Sequence, residues 1–84
     1  MTMEFKIEFK PHAIKDCKNI NKKTLNFIFS KIEILSDNLK GDVKKLTNFT
    51  PEYRLRVGNY RVLFETKIGK VIIYRIKHRK EAYK

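Results

Sequence analysis

YRLRVGNYRV, residues 53–62, decides how this chain folds. Gly58-Asn59 is a two-residue turn between alternating side chains, with Tyr53, Leu55 and Val57 before it and Tyr60, Val62 and Phe64 after it, the signature of a β-hairpin. With those two residues as the whole loop, Val57 opposes Tyr60, Arg56 opposes Arg61 and Arg54 opposes Leu63. The apolar and aromatic side chains then share one face, and Arg54, Arg56 and Arg61 share the other. Like charges directly opposite one another cost a few tenths of a kcal/mol unless an anion lies between them. The hairpin therefore predicts a phosphate-binding surface.

Outward from the hairpin, residues 71–79 read as a final strand after a turn at Gly69, with Ile72, Tyr74 and Ile76 alternating with Arg75, Lys77 and Arg79. Toward the N-terminus, Phe5, Ile7 and Phe9 alternate with Lys6, Glu8 and Lys10, a strand with one buried face that ends at Pro11. Ala13, Ile14, Cys17 and Ile20 then follow helical spacing behind a proline in the first turn. Asn21 interrupts the pattern, after which Leu25, Ile28, Ile32, Leu35 and Leu39 recur at intervals of three and four, a second amphipathic helix. Phe27, Phe29 and Ile34 widen its apolar arc and leave room for a partner surface. Gly41 fits a helix stop, and residues 42–51 read as a connection containing Lys44, Lys45 and Leu46. The expected fold is α+β: strand, helix, helix and three strands, with the helices packed on one face of a mainly antiparallel sheet. The opposite face would display Arg54, Arg56, Arg61, Arg75, Lys77 and Arg79. Which of these six cluster depends on the register of the last two strands, and the sequence leaves that open.

Eighty-four residues make one domain, residues 1–84. The net charge is +11, and it is uneven: residues 1–42 hold eight lysines against six acidic residues, and residues 43–84 hold twelve Lys and Arg against three. All five arginines lie in the second half. The guanidinium fork fits phosphate in two-point contacts, so a polyanion is the expected partner, with nucleic acid ahead of an acidic protein. The competing reading is a solvated surface in a lysine-rich proteome. Cys17 is the single cysteine and falls on the apolar side of a helix, where a small buried hydrophobe is the expected role. No metal-ligand spacing, signal peptide or membrane-spanning run is visible, so the sequence predicts no metal, no cofactor, no membrane and a reducing cytoplasm.

The order of elements, the YRLRVGNYRVLFE segment, the KKL triplet (Lys44, Lys45, Leu46) and the closing HRKEAY (His78 to Tyr83) resemble the RelE/ParE superfamily of type II toxin–antitoxin toxins over essentially the whole chain. The paired YR…GNYR and HR…Y signatures resemble the RelE branch, ribonucleases that cut mRNA in the ribosomal A site, more than the ParE branch, which poisons DNA gyrase. The resemblance implies a RelE-like fold, an mRNA and ribosome target, and a cognate antitoxin protein as partner. It places the family's scissile-phosphate positions on Arg54 and Arg56, on Arg61 after the turn, on Arg79 (or Lys77) at the end of the last strand, and on Tyr83. Lys44, Lys45 and Arg75 join the expected phosphate-binding set.

Such a site performs metal-independent attack of the substrate's own 2′-hydroxyl on the adjacent phosphate. Fixed charge must meet the developing phosphoryl charge, for which Arg61 and Arg79 are the candidates. A base must accept the 2′ proton and an acid must protonate the leaving oxygen. A guanidinium does not release its proton, so Arg54 and Arg56 cannot replace the lysines found in other members of the family. His78 is the natural substitute, with Glu52, Glu81 and Tyr83 as further candidates. In strand phase, however, His78 belongs with Ile72, Tyr74 and Ile76, as a core-edge residue, and both readings stay open. His12 is expected at the surface, and Glu65 is expected to pair with Arg54 or Arg75. Tyr83 would stack on a base. Two other functions also stay open: gyrase inhibition without chemistry, and a degenerate toxin that acts only with its antitoxin as co-repressor.

Overall fold

The computed structural model describes residues 4–82. Its elements run β1 (Lys6–Phe9), α1 (Pro11–Cys17), α2 (Lys22–Leu35), β2 (Val43–Lys45), β3 (Tyr53–Val57), β4 (Tyr60–Lys67) and β5 (Lys70–His78). They form a five-stranded sheet in the order β1-β5-β4-β3-β2, parallel only between β1 and β5. The α+β architecture is as expected from the sequence.

One face of the sheet packs against the helices. Ile28, Ile32 and Leu35 of α2 and Ala13 of α1 meet Leu55, Val57, Val62, Phe64, Val71, Ile73 and Ile76 in a continuous core. Helix α2 starts where it does because the Asn21 side chain accepts a hydrogen bond from the Thr24 amide at 2.9 Å, satisfying one of the orphan donors of the first turn. Three assignments for the helices need correction. Ile14 is exposed, because the short α1 presents only Ala13 and Cys17 inward. Leu39 lies beyond α2, which ends at Leu35, although it still packs against the core. Gly41 is not the helix stop, since Asn38 and Leu39 already take left-handed backbone angles ahead of it.

The hairpin has the register expected from its turn, with Val57 opposite Tyr60, Arg56 opposite Arg61 and Arg54 opposite Leu63. Two features of the sheet differ from expectation. Residues 42–51 are not wholly a connection, because Val43–Lys45 pairs with β3 as an edge strand. In β5 the alternation breaks at Tyr74: Leu63 pairs with Arg75 and Phe64 with Ile73, so Tyr74 is an extra residue in a β-bulge. Val71 and Ile73 therefore face the core before the bulge and Ile76 after it, whereas Ile72 and Tyr74, expected inside, do not belong to the helix-facing core. Ile72 is nevertheless buried, together with Leu63, on the opposite face.

Candidate nucleic-acid interface

Strand pairing arranges the cations in rows on the face away from the helices. Arg56 is in register with Arg61, and Arg61 with Lys77, which sets three cations side by side on three adjacent strands. Neighbouring strands lie about 4.8 Å apart. A second row runs Lys44, Arg54, Leu63, Arg75. Lys44, Arg54, Arg56 and Arg61 share one open groove of about 480 Å³ with Leu46, Thr47 and Phe49 of the segment between β2 and β3.

The groups differ in how freely they can meet a ligand. The Arg61 Nη1 donates to the carbonyls of Gly58 and Tyr60, each at 2.9 Å, which fixes the guanidinium against the turn. Arg54 Nη1 donates to Asp42, at 3.0 Å to its carbonyl and 3.2 Å to Oδ1. Arg56 is exposed and its guanidinium makes no such pair among the described residues. Arg79 is carried to the turn by a hydrogen bond from its amide to the Asn59 carbonyl at 2.7 Å, close to the end of the chain's cationic row.

The remaining expected residues do not join this groove. The Arg75 guanidinium is held by Asp16 of α1, with Nε to Oδ2 at 2.8 Å and Nη2 to Oδ1 at 3.0 Å. The same carboxylate accepts the Ile76 amide at 3.0 Å, an edge donor left over because β1 stops opposite Ile73. Burial works to raise the Asp16 pKa, but the hydrogen bonds from Arg75 and Ile76, helped by the charge on Arg75, outweigh it and hold the carboxyl below its ordinary range. The same pairing keeps Arg75 more firmly protonated than usual. Glu65, expected to pair with Arg54 or Arg75, pairs with neither, since Asp42 and Asp16 hold those partners.

Lys45 pairs with Tyr53 and lies on the helix side of the sheet, away from Lys44. His78 is in register with Tyr60, also on the helix side, and packs edge-on against its ring at 5.6 Å. Its Nδ1 accepts the Lys80 amide at 3.3 Å. The bulge lies at Tyr74, ahead of Ile76, so Ile76 and His78 keep a common phase, and His78 stands beside Tyr60 on the helix side. Its groove is shared with Asp16, Asn19, Ile20, Lys77 and Glu81 rather than with the hairpin arginines. Cys17 is half-buried and donates to the Ala13 carbonyl at 3.3 Å, and burial raises its thiol pKa. His12 is at the surface. Tyr83 lies outside the described residues. Among the described residues no cluster of His, Cys, Asp or Glu could hold a metal ion, and no helix is long and apolar enough to cross a membrane. Sequence reasoning missed Asp16 altogether, for an isolated aspartate in a helix carries no signal of a partner 59 residues away.

A two-layer fold with a cationic sheet face defines the class, and comparison with known proteins places the chain within it. Residues 7–83 match the model of the ParE toxin of type II toxin–antitoxin systems, and the chain belongs to that family, within the RelE/ParE superfamily. It is 32% identical to Toxin RelE3 of Methanocaldococcus jannaschii over 83 residues, covering 93% of this chain and 94% of that protein. The RelB–RelE antitoxin–toxin complex from Methanococcus jannaschii contains a chain that superposes with a TM-score of 0.73 at 35% identity, covering 87% of this chain and 91% of that one. A chain of the RelBE2 toxin–antitoxin complex from Mycobacterium tuberculosis shares the fold, with a TM-score of 0.78 at 22% identity over 90% of this chain and 99% of that one. The protein is a type II toxin, and its named relatives fall on the RelE side of the superfamily.

Proposed function

We propose that this toxin is a ribosome-dependent endoribonuclease that cuts mRNA in the A site, stops translation, and is neutralised by a cognate antitoxin. The observation that carries the proposal is the in-register row Arg56, Arg61, Lys77. Three cations held side by side on a sheet, next to a groove that adds Lys44 and Arg54, form a surface whose mutual repulsion a phosphate backbone relieves.

In the reaction the 2′-oxygen forms a bond to phosphorus and the bond to the 5′-oxygen breaks, leaving a cyclic phosphate and a free 5′-hydroxyl. Arg61, pinned by the turn carbonyls, would meet the charge that develops on the phosphoryl oxygens, and Arg79 and Lys77 would flank it. Arg54, Arg56 and Lys44 would hold the neighbouring phosphates. No guanidinium can take the 2′ proton, and His78 lies on the far face, so the arginines of the row leave the base and the acid unassigned. A site with incomplete acid–base equipment fits a reaction confined to mRNA held by the ribosome. Tyr83 would stack on a base of the cut codon.

The antitoxin would be an acidic, amphipathic protein that covers the basic face. That a structural relative was solved as an antitoxin–toxin complex supports an antitoxin partner. The test is brief induction of the chain and of Arg61→Ala, with the 5′ ends of cellular mRNA mapped within minutes. Cuts at fixed codon positions on translated messages, absent with Arg61→Ala, are expected. Growth arrest with intact mRNA would overturn the proposal in favour of gyrase inhibition, and absence of arrest in favour of a co-repressor.

A further inference from the structure

We infer a second RNA contact, separate from the arginine groove: a base-stacking site built on Tyr74, with Lys10, His12 and Lys15 around it. The bulge creates the site. Ile73 and Ile76 both face the core, three positions apart, so Tyr74 and Arg75 together occupy what would be a single outward position on a regular strand. Bulges aim side chains in directions that an unbroken ladder does not allow. Here the extra side chain is an aromatic ring that would otherwise have no place on a cationic face.

The surroundings of the ring are fixed by the backbone. The Lys10 amide donates to the Ile73 carbonyl at 2.9 Å, which seats Lys10 beside the bulge. Its ammonium stands 5.8 Å from the centre of the Tyr74 ring, within cation–π range. Arg75 is held against α1 by Asp16, and this ties the bulge to the helix that carries His12 and Lys15. Lys10, Pro11, His12, Lys15, Pro51, Tyr74 and Arg75 line an open groove of about 520 Å³, and none of these residues is a carboxylate. The arrangement offers what unpaired RNA needs: a ring for a base and cations for the adjoining phosphates. An acidic peptide would use the cations but leave the ring without a purpose.

The groove also lies in line with the main interface. Arg75 and Arg54 belong to one row with Leu63 between them, about 10 Å apart across two strand spacings. The segment between β2 and β3 borders both grooves, through Leu46, Thr47 and Phe49 on one side and Pro51 on the other. One RNA strand could therefore engage both.

The inference rests on RNA being the target, and the experiment separates its failure from failure of the cleavage proposal. The full chain is titrated with a short fluorescent single-stranded 2′-O-methyl RNA, which binds but cannot undergo 2′-hydroxyl attack, and with an abasic oligonucleotide of equal charge. Tyr74→Leu should weaken binding of the base-bearing oligonucleotide roughly tenfold to a hundredfold, Tyr74→Phe should retain it, and the abasic ligand should bind the unaltered chain at least as weakly as the base-bearing one binds Tyr74→Leu. Repeating the abasic comparison in a Tyr83→Leu chain removes the base contact proposed for the C-terminal tyrosine, so a remaining preference for the base-bearing ligand reports on Tyr74 even where Tyr74→Leu fails to fold. Equal binding of abasic and base-bearing ligands by the unaltered chain would overturn the site and leave a cation patch for phosphate or for an acidic protein.

Discussion

Arg56 and Arg61 stand directly opposite one another across the Gly58-Asn59 turn, with no carboxylate among the described residues paired to either. Arg61 offsets part of the repulsion by donating to two turn carbonyls, and Arg56 has no such outlet among the described residues. A pair of this kind opposes folding by a few tenths of a kcal/mol, a cost that an anion bound between the two would offset.

Replacing one member by an acid should therefore separate stability from function. Arg56→Glu places a carboxylate opposite Arg61 and should stabilise the protein by roughly 0.2–1 kcal/mol. The same change should abolish toxicity by removing a phosphate contact and adding a repulsive charge. Thermal unfolding and growth after induction, measured on one variant, check both halves. A destabilised Arg56→Glu would mean that the arginine pair is held together by packing rather than tolerated for a ligand.

Asp16 anchors α1 to β5 through three hydrogen bonds, two from Arg75 and one from the Ile76 amide. Asp16→Ala should cost about 2–3 kcal/mol, because it leaves a partly buried guanidinium and an edge amide without their acceptor. The carboxyl's pKa is lowered in the folded state, so its stabilisation is complete above the ordinary aspartate pKa of about 3.9 and fades as pH falls through the lower folded value. Urea unfolding of the parent and of Asp16→Asn across the acid range should give a smaller loss of stability with falling pH in the variant.

Two glycines with positive φ should respond differently to alanine. Gly58 has φ +56°, and a Cβ there meets nothing within 4 Å, so Gly58→Ala carries only the left-handed backbone penalty of about 1–2 kcal/mol. Gly41 has φ +124°, and a Cβ there comes within 3.0 Å of the Leu55 Cδ1, a side chain in the core. Backbone strain and overpacking together should cost about 2–4 kcal/mol. Denaturant midpoints should rank parent, Gly58→Ala, Gly41→Ala from most to least stable.

The hairpin was legible to the register of single residues because the Gly58-Asn59 turn sets the pairing locally. The last strand was not: Val71, Ile72 and Ile73 are apolar in succession, so period-two alternation fits either phase, and only the sheet shows that Tyr74 is the extra residue. Val43–Lys45 is too short for alternation to announce a strand. The helical stripe continued to Leu39 on paper, whereas the helix stops at Leu35 and Leu39 takes φ +57° in the turn that follows. For the site, the hairpin arginines were readable from local spacing. The withdrawal of Arg75 by Asp16, and the placement of His78 on the helix side with Tyr60, depend on pairings between segments far apart in sequence.

The turn between β4 and β5 offers a stabilising change. Ile68 and Gly69 both have positive φ, at +39° and +73°, the backbone of a tight hairpin turn that favours Asn-Gly. A β-branched side chain is strained there, and Ile68 gains nothing in return, being 95% exposed. Ile68→Asn should relieve that strain and raise stability by about 1 kcal/mol, with no loss of core contacts. The turn lies at the opposite end of β4 from the turn that pins Arg61, so toxicity should be unchanged. Thermal unfolding checks the first expectation and growth arrest after induction the second. A lower melting temperature would show that the Ile68 side chain supports the turn through contacts that its exposure does not reveal.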